Sequence, residues 1–270
     1  MSSTSRQEQK AADFAALHAG APFVIPNPWD AGSARVLEAL GFQALATTSS
    51  GFAFTLGRLD GEARLDEVVG HVAQLDRASA LPISVDLENG YGDRPEDAAR
   101  AIERIAAAGA VGASIEDYDP ATDRIYDVDQ AVERVTAAVE AAGSLGFPFM
   151  LTARAENHIH QNPDLADTID RLQRFEQAGA DVLYAPGLTT TAEIRAVCSA
   201  VSRPVNVLAR PALSVGEIVD AGARRISVGG ALAWVAVKAF ADAATAIRDS
   251  GDLSVLATSL PLGEWLASRP

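Results

Sequence analysis

The chain has 270 residues, 48% of them hydrophobic, and its 22 basic and 36 acidic side chains give a net charge of −14. Such an acidic balance argues against nucleic acid and anionic membranes as partners, because both carry negative charge. A single cysteine, Cys198, excludes an intramolecular disulfide framework and suits a reducing compartment. No run approaches a membrane span and residues 1–10 lack an apolar signal core, so we expect a cytoplasmic protein.

Apolar runs of strand type alternate with helical patterns along the chain. The spacing of Phe14, Leu17 and the neighbouring alanines predicts a helix over residues 7–19, within an N-terminal tail and helix of residues 1–20. Eight strands are predicted, at residues 23–27, 44–49, 82–87, 113–116, 149–154, 181–185, 204–208 and 225–229. A helix follows each strand, at residues 31–40, 65–79, 95–108, 127–146, 163–178, 191–201, 214–221 and 231–248. Residues 249–270 are predicted to form a C-terminal helical extension.

The eight strand-then-helix units follow one another without a break in composition. Parallel strands joined by helices must be covered on both faces, and eight such units close into a barrel more economically than they form an open sheet. The prediction is an α/β protein with a single TIM-type (β/α)8 barrel domain over residues 1–270. The phrase Ala-Gly-Ala, as at 108–110 and 178–180, is interpreted as a helix-to-strand turn.

Acidic residues cluster at the ends of two consecutive predicted strands. The stretch Ile83-Ser-Val-Asp-Leu-Glu-Asn-Gly-Tyr-Gly92 contains Asp86 and Glu88, and Ser114-Ile-Glu-Asp-Tyr118 contains Glu116 and Asp117. In an α/β barrel the chemistry lies at the carboxyl ends of the strands. Carboxylates brought together there repel one another unless a cation compensates, and hard oxygen ligands suit Mg²⁺ or Mn²⁺. The ordinary alternative is that these acids cap helices or lie solvated in loops.

Strand ends also offer groups that bind anions. Residues 47–51, Thr-Thr-Ser-Ser-Gly, supply hydroxyls and backbone amides, and Arg154 supplies a planar fork suited to a carboxylate or phosphonate. The alternatives are a serine-rich turn and an arginine paired with Glu156 or with a metal-site carboxylate. Gly229-Gly230 is as consistent with a tight loop as with a phosphate cradle.

The chain contains only two lysines, Lys10 and Lys238. Lys10 lies in the polar N-terminal tail and Lys238 in the middle of a helical pattern. Neither is placed at a strand end to form a Schiff base with a carbonyl substrate. The sequence therefore argues against imine-type aldolase chemistry.

Taken in order, these motifs resemble the isocitrate lyase and phosphoenolpyruvate mutase superfamily over about residues 20–250. The resemblance is carried by Ser50-Gly51, by 85–92 and 114–117, by Thr152-Ala-Arg154, by Val205-Asn206 and by 225–231. It implies a barrel enzyme in which Asp86, Glu88 and Glu116 hold Mg²⁺ directly or through water, while Asn27 and Asp30 line the same mouth. A small 2-oxo acid or phosphonate substrate would bind near Ser50, Gly51, Arg154 and Asn206.

The resemblance also implies a homo-oligomer, a dimer or a tetramer in which neighbouring subunits swap the last helix. Apolar residues in the segment 253–266 are compatible with such an assembly.

Two departures from the family pattern bear on the reaction. Glu88 replaces an aspartate and reaches one methylene further. The lyase branch carries Lys-Lys-Cys-Gly-His in the loop after the fourth strand, where this chain has Asp119-Pro-Ala-Thr-Asp-Arg-Ile-Tyr126. The resemblance therefore favours the phosphoenolpyruvate phosphonomutase-like branch and argues against isocitrate or methylisocitrate cleavage.

The predicted function is Mg²⁺-dependent cleavage or rearrangement of a carbon–carbon or carbon–phosphorus bond next to a 2-oxo acid, through an enolate that the cation stabilises. Asp119, Asp123, Arg124 and Tyr126 are the candidates for the catalytic acid or base. The alternatives are a phosphate-gripping isomerase or aldolase and a barrel that binds a 2-oxo acid without catalysis.

Overall fold

A computed structural model describes residues 3–160 and 162–267 of the chain. Its strands are β1 (Phe23–Ile25), β2 (Leu45–Ala46), β3 (Ile83–Asp86), β4 (Gly112–Glu116), β5 (Tyr118–Asp119), β6 (Arg124–Ile125), β7 (Met150–Arg154), β8 (Val182–Tyr184), β9 (Val205–Leu208) and β10 (Arg225–Ser227). All but β5 and β6 form one parallel sheet in the order β1-β10-β9-β8-β7-β4-β3-β2. The N–H of Ala46 donates to the carbonyl of Pro26 at 3.0 Å and joins the two edges. The predicted barrel is confirmed.

Helices connect the strands and cover the outside of the barrel. They are α1 (Ser3–Ala19), α2 (Ala31–Ala39), α3 (Ser49–Thr55), α4 (Leu65–Ala78), α5 (Pro95–Ala107), α6 (Val128–Gly143), α7 (Leu165–Gln177), α8 (Thr191–Ala200), α9 (Val215–Asp220), α10 (Ala231–Ser250) and α11 (Leu262–Ala267), with a 3₁₀ turn at Ser254–Leu256. Within the described ranges, no helix is both long and apolar enough to cross a membrane. The outermost residues of the predicted N-terminal tail and C-terminal extension, 1–2 and 268–270, lie outside the described residues.

Two local features differ from the predicted elements. The second strand was expected to run to residue 49, but it ends at Ala46 because the hydroxyl of Thr48 accepts the N–H of Gly51 at 3.3 Å and starts α3. Ser50 and Gly51 therefore lie in the first turn of a helix. In the loop after β4, the two-residue strands β5 and β6 pair as an antiparallel hairpin.

The helix-to-strand turns form as predicted. Gly109 and Gly179 have φ angles of 110° and 104°, in the left-handed region that a side chain disfavours. A Cβ atom at Gly109 would lie 2.5 Å from Cγ of Asp76. These turns return the chain tightly from each helix to the next strand.

Alternation along the strands separates an apolar outer face from a polar interior. Val85, Ile115 and Leu151 pack outward in one cluster with Ile102 and Ile105 of α5. The residues next to them along the strands point the other way, since side chains of a strand alternate between its two faces. The inward positions near the carboxyl ends carry Asp86, Ser114, Thr152 and Arg154. This alternation presents the polar side chains to the barrel mouth.

Candidate active site at the barrel mouth

Three of the predicted site residues end their strands at the same edge of the barrel. Asp86 is the last residue of β3, Glu116 the last of β4 and Arg154 the last of β7. Glu116 and Arg154 are register partners in the sheet. Because all eight strands are parallel, these side chains meet at one mouth.

Arg154 is the centre of this group. Its Nη1 lies 2.7 Å from Oδ1 of Asp86 and its Nη2 lies 3.2 Å from Oε2 of Glu116. Its Nε lies 2.7 Å from Oε1 of Glu156, whose side chain is 1% exposed. The guanidinium also lies 5.1 Å from the ring centroid of Tyr184, within cation–π distance. The predicted alternative, an arginine paired with Glu156 and with the strand-end acids, is the arrangement in this structure.

Negative charge exceeds positive charge at the mouth. Glu88 and Asp60 line the same cavity as Glu116, Glu156 and Arg154. Burial raises the pKa of Glu88 to about 7, and repulsion from Asp86 and Asp60 adds to the shift. Burial also raises the pKa of Glu116 and of Glu156, although Arg154 opposes the shift in both. These acids therefore lack full compensation for their charge.

Glu88 is held in an unusual conformation. Its φ is 48°, in the left-handed region, which for a residue with a long side chain indicates a constrained position. The hydroxyl of Tyr91 donates to its Oε1 at 3.1 Å, and Tyr91 has a φ of 62°. The surrounding loop thus directs the Glu88 carboxyl toward the cavity.

Two adjoining cavities open at this mouth, and both are lined by Ser49, Asp60 and Arg154. The cavity of about 480 Å³ is lined by Glu88, Glu116 and Glu156. The cavity of about 200 Å³ is lined by Asp86 and continues into the barrel past Asn206. A larger groove, of about 780 Å³, lies between α5 and α6 on the outside of the barrel. It contains none of the strand-end residues, so we place the site at the mouth.

The start of α3 forms one wall of the site. The N–H of Ser49 donates to Oδ2 of Asp86 at 3.3 Å, and the N–H of Asp86 donates to the hydroxyl of Thr47 at 2.8 Å. Ser50 lines the cavity. Gly51 is buried behind it, where a Cβ atom would lie 2.6 Å from Cγ2 of Thr48. The backbone at this position packs too closely for any larger residue.

Asn206 reaches the cavity from β9. Its Nδ2 donates to Oγ of Ser227 at 3.0 Å, and its Oδ1 accepts from Nε of Arg225 at 2.9 Å. These bonds fix which end of the amide carries the donor. The structure therefore places Ser50, Arg154 and Asn206 along one cavity, and their role in substrate binding stays a prediction.

The loop candidates lie apart from the acid cluster. Asp119 is 6% exposed and accepts the N–H of Ala121 at 2.9 Å, which shapes the hairpin turn. Tyr126, also 6% exposed, donates its hydroxyl to Oδ1 of Asp93 at 3.0 Å. Asp123 accepts the Tyr118 hydroxyl at 2.7 Å, on the exposed hairpin.

Arg124 completes this group of four and is exposed on β6. With Asp119 and Tyr126 it lines a separate cavity of about 200 Å³. None of the four lines the cavities that contain Arg154. Their catalytic role stays a prediction.

Several residues of the mouth were not singled out from the sequence as site residues. Asp60 comes from the loop after α3, which carries no strand-end signal, and Tyr184 ends β8. Glu156 appeared only as a partner of Arg154. Asp117, by contrast, points away from the cavity: its carboxylate accepts the Glu156 N–H at 2.8 Å and pairs with Nη1 of Arg171 at 3.1 Å.

The alternatives based on lysine and on phosphate find no support at the mouth. Lys10 is buried and pairs with Asp76 at 2.7 Å, while Lys238 is exposed and pairs with Asp242 at 2.6 Å. Neither lines the cavities at the mouth. The N–H of Gly229 already donates to Oδ1 of Asn27 at 2.9 Å, so it is not free to bind a phosphate.

The donor set at the mouth fits a hard divalent cation. Carboxylate oxygens are the ligands that Mg²⁺ prefers, and Mg²⁺ usually keeps several waters. The acids also exceed the single guanidinium paired with them. Yet within the described ranges no group of three or more acidic, histidine or cysteine side chains is arranged to hold a metal ion. The metal-binding roles of Asp86, Glu88 and Glu116 therefore stay predictions.

A parallel eight-stranded barrel with paired acids and an arginine at the carboxyl ends of its strands has the arrangement of a barrel enzyme. Residues 14–248 match the family model described as phosphoenolpyruvate phosphomutase. The chain belongs to this family, within the phosphoenolpyruvate mutase and isocitrate lyase superfamily, as the motifs indicated.

Solved structures and curated relatives agree with this assignment. A protein of Burkholderia cenocepacia J2315, provisionally described as a lyase/mutase, is 48% identical, with a TM-score of 0.94 and 98% of both chains covered. Oxaloacetate acetylhydrolase in complex with oxalate is 26% identical, with a TM-score of 0.86, over 96% of this chain and 94% of that one. Oxaloacetate decarboxylase of Rhodopseudomonas palustris (strain BisB18) is 29% identical over 208 residues, 74% of this chain and 70% of that one.

Proposed function

We propose that this enzyme uses Mg²⁺, or Mn²⁺, to cleave or rearrange a carbon–carbon or carbon–phosphorus bond next to the carbonyl of a small 2-oxo acid. The observation that carries the proposal is the group of Asp86, Glu116 and Glu156 around Arg154 at the barrel mouth, in which Glu156 is buried and the other two acids are partly buried. Acids with incomplete charge compensation next to an anion-binding fork can recruit both a cation and an anionic substrate.

Each group at the mouth has a role in this proposal. Mg²⁺, when bound by Asp86, Glu88 and Glu116, would supply stabilisation of the negative charge that develops on the carbonyl oxygen. Arg154 would donate to an anionic group of the substrate. The Ser50 hydroxyl and the adjoining backbone at Gly51 would position the acid from the α3 side.

Asn206 would orient the substrate from the opposite wall. Its Nδ2 is directed by Ser227 and its Oδ1 by Arg225, so the amide cannot rotate without losing a hydrogen bond.

Proton transfer is assigned in this proposal to the four candidates in and next to the hairpin of β5 and β6. Asp123 and Arg124 are the exposed candidates there, and Asp119 and Tyr126 the buried ones.

Two similar proteins support carbon–carbon cleavage in particular. One is described as oxaloacetate acetylhydrolase bound to its product oxalate, and the other as oxaloacetate decarboxylase. The proposed chemistry requires a carbonyl next to the bond that breaks, and oxaloacetate has such a carbonyl. We therefore place a small 2-oxo diacid first among the substrate candidates.

A turnover assay with Mg²⁺ tests the function. The panel contains oxaloacetate and phosphonopyruvate, together with isocitrate and methylisocitrate. We expect at least one of the first two to turn over at about 1 per second or faster, and the last two to fall well below that rate. The reason is that the loop after β4 lacks cysteine, and Cys198 lies on α8, where burial raises the pKa of its thiol to about 11. Binding without turnover across the panel would favour a non-catalytic barrel.

We also propose that the protein is a cytoplasmic homo-oligomer, a dimer or a tetramer with an exchanged last helix. On α10, Trp234, Val235 and Phe240 are 43%, 67% and 75% exposed. Leu253 and Leu256 in the following segment are 64% and 58% exposed. An apolar surface of this kind on one element is typical of a protein–protein contact. The single cysteine supports the reducing compartment.

A further inference from the structure

The interior of the barrel beneath the mouth is polar. TIM barrels usually fill this space with bulky branched residues. Here the inward positions carry small polar side chains, among them Ser84, Ser114, Thr152 and Ser227. They leave room for the cavity of about 200 Å³, whose lining includes both Arg154 and Arg225.

Arg225 is a buried guanidinium without an acidic partner. It is 5% exposed, and its Nε and Nη2 donate to Oδ1 of Asn206 and Oγ1 of Thr152, each at 2.9 Å. Its Nη1 lies 3.3 Å from Nε2 of His18. All three partners are neutral, since burial lowers the pKa of His18 to about 3. Within residues 3–160 and 162–267, no carboxylate lies within ion-pair distance of Arg225.

This arrangement leaves both charge and donors available. A guanidinium has five N–H groups, and the three contacts above use three of them. Burial lowers the pKa of Arg225 to about 10, so the group stays protonated near neutral pH. A buried charge without an opposite charge is costly, and a fold that retains one beside a cavity indicates a ligand that supplies the missing charge.

We propose that Arg225 forms an anion subsite at the floor of the substrate cavity and selects 2-oxo acids that carry a second carboxylate. The inference rests on the proposed function, which places the 2-oxo end at the mouth near Asp86 and Arg154. The distal carboxylate would extend down the cavity to the free N–H groups of Arg225.

The depth of the floor sets the length of the ligand. Arg225 contacts Thr152, which precedes Arg154 by two residues on β7. Two residues of strand span roughly 7 Å, so Arg225 contacts the wall about one layer of side chains below the strand position that carries Arg154. A two-carbon diacid such as oxalate is too short to meet both levels, whereas a longer 2-oxo diacid has a second carboxylate to place there.

Binding of three ligands in the presence of Mg²⁺ tests the subsite. The diacid is 3,3-difluorooxaloacetate, an inhibitor of the similar oxaloacetate acetylhydrolase. Its matched monoacid is 3,3-difluoro-2-oxobutanoate, in which a methyl group replaces the distal carboxylate. Oxalate is the ligand without a distal group. We expect the wild-type protein to bind the diacid about tenfold or more tightly than the monoacid, because a charge-assisted hydrogen bond is lost in the latter.

Variants of the two neighbouring arginines separate the subsite from general effects. Arg225→Gln should abolish the preference for the diacid and leave oxalate affinity within about twofold. Arg225→Lys, which keeps the charge but not the fork, should retain part of the preference. Arg224→Gln is the matched control, since Arg224 is exposed and donates to the carbonyl of Gly20 at 2.7 Å. It should behave as the wild-type protein.

Several results would overturn the inference. They are equal affinity of the wild-type protein for diacid and monoacid, an unchanged preference in Arg225→Gln, and an equal loss of affinity for all three ligands in that variant. If Arg225→Gln does not fold, equal affinity of the wild-type protein for the two ligands would still overturn the inference, and Arg225→Lys would still report on the guanidinium. Monoacid binding that requires chloride, and loses this requirement in Arg225→Gln, would assign the floor to a separate anion and contradict selection by the substrate. Oxalate binding that does not depend on Mg²⁺ would contradict the proposed function, while the arginine comparison would still report on the floor.

Discussion

Glu88 combines a left-handed backbone with a carboxyl whose pKa burial raises to about 7. The folded protein therefore retains a proton on Glu88, above the ordinary pKa of 4.5, that the unfolded chain releases. The stability that this proton contributes is fully present below about pH 4.5 and is lost as the pH rises through about 7.

We expect Glu88→Gln to flatten the fall in stability of the metal-free protein across this window, because glutamine does not titrate. Urea unfolding in the presence of a chelator, at about pH 5 and about pH 7.5, measures the difference. Glu103→Gln, at an exposed site on α5, is the control and should follow the wild-type protein. Parallel pH profiles for Glu88→Gln and the wild-type protein would show that Glu88 does not retain the proton.

Charged residues at strand ends could be predicted from the sequence as site candidates, and residues brought in by loops could not. Asp86, Glu116 and Arg154 each follow an apolar run, and parallel strands bring such ends together whatever the exact register. Asp60 reaches the mouth from a loop whose path depends on tertiary packing. Asp117 shows that an acid predicted at a strand end need not reach the mouth. It follows Glu116 in the sequence, but its side chain points to α7 and pairs with Arg171.

Among the elements, the strand and helix of each repeated unit were predicted, and the elements inserted between them were not. The helix α3 has seven residues and the hairpin strands have two each, and all three lie outside the strand-then-helix repeat. A capping contact from Thr48 starts α3, and an antiparallel pairing after β4 forms the hairpin. Both elements border the site. The positions of Ser50 and of the four hairpin candidates therefore had to come from the structure.

The exposed apolar residues of α10 lead to a prediction about assembly. We expect Phe240→Asp to lower the light-scattering mass toward that of one chain at micromolar concentration, because a charge would be buried in the contact between subunits. Val215→Asp, at a 50% exposed position on α9, is the matched control and should leave the mass unchanged. A wild-type mass of one chain, or the same mass for Phe240→Asp and the wild-type oligomer, would contradict the proposed interface.

For the whole molecule, the order of strands and helices was enough to predict the barrel. Eight repeated units leave few ways to cover a parallel sheet on both faces, so the fold does not depend on individual contacts. The polar floor around Arg225 depends on such contacts. Thr152, Asn206 and His18 are far apart in sequence, and only closure of the barrel brings them to one guanidinium.

The stability of the whole molecule also depends on the proposed metal. If Asp86 and Glu116 bind Mg²⁺, the cation stabilises the folded state by mass action, by about 2.7 kcal/mol at a hundredfold excess over the dissociation constant. That is enough to raise the melting temperature by several degrees. Asp86→Asn should remove most of this shift together with turnover. Arg154 would still pair with Glu116 and Glu156, so we expect the metal-free variant to be as stable as the wild-type protein or slightly more stable.

The most direct test is therefore thermal unfolding of the wild-type protein and Asp86→Asn, each with and without Mg²⁺. A metal-dependent site predicts a rise in melting temperature with Mg²⁺ for the wild-type protein alone, and no loss of stability in the metal-free variant. The contrary result is a metal-free Asp86→Asn protein destabilised by roughly 1 kcal/mol or more whose response to Mg²⁺ is intact. It would show that Asp86 serves as the structural partner of Arg154 and does not bind the metal.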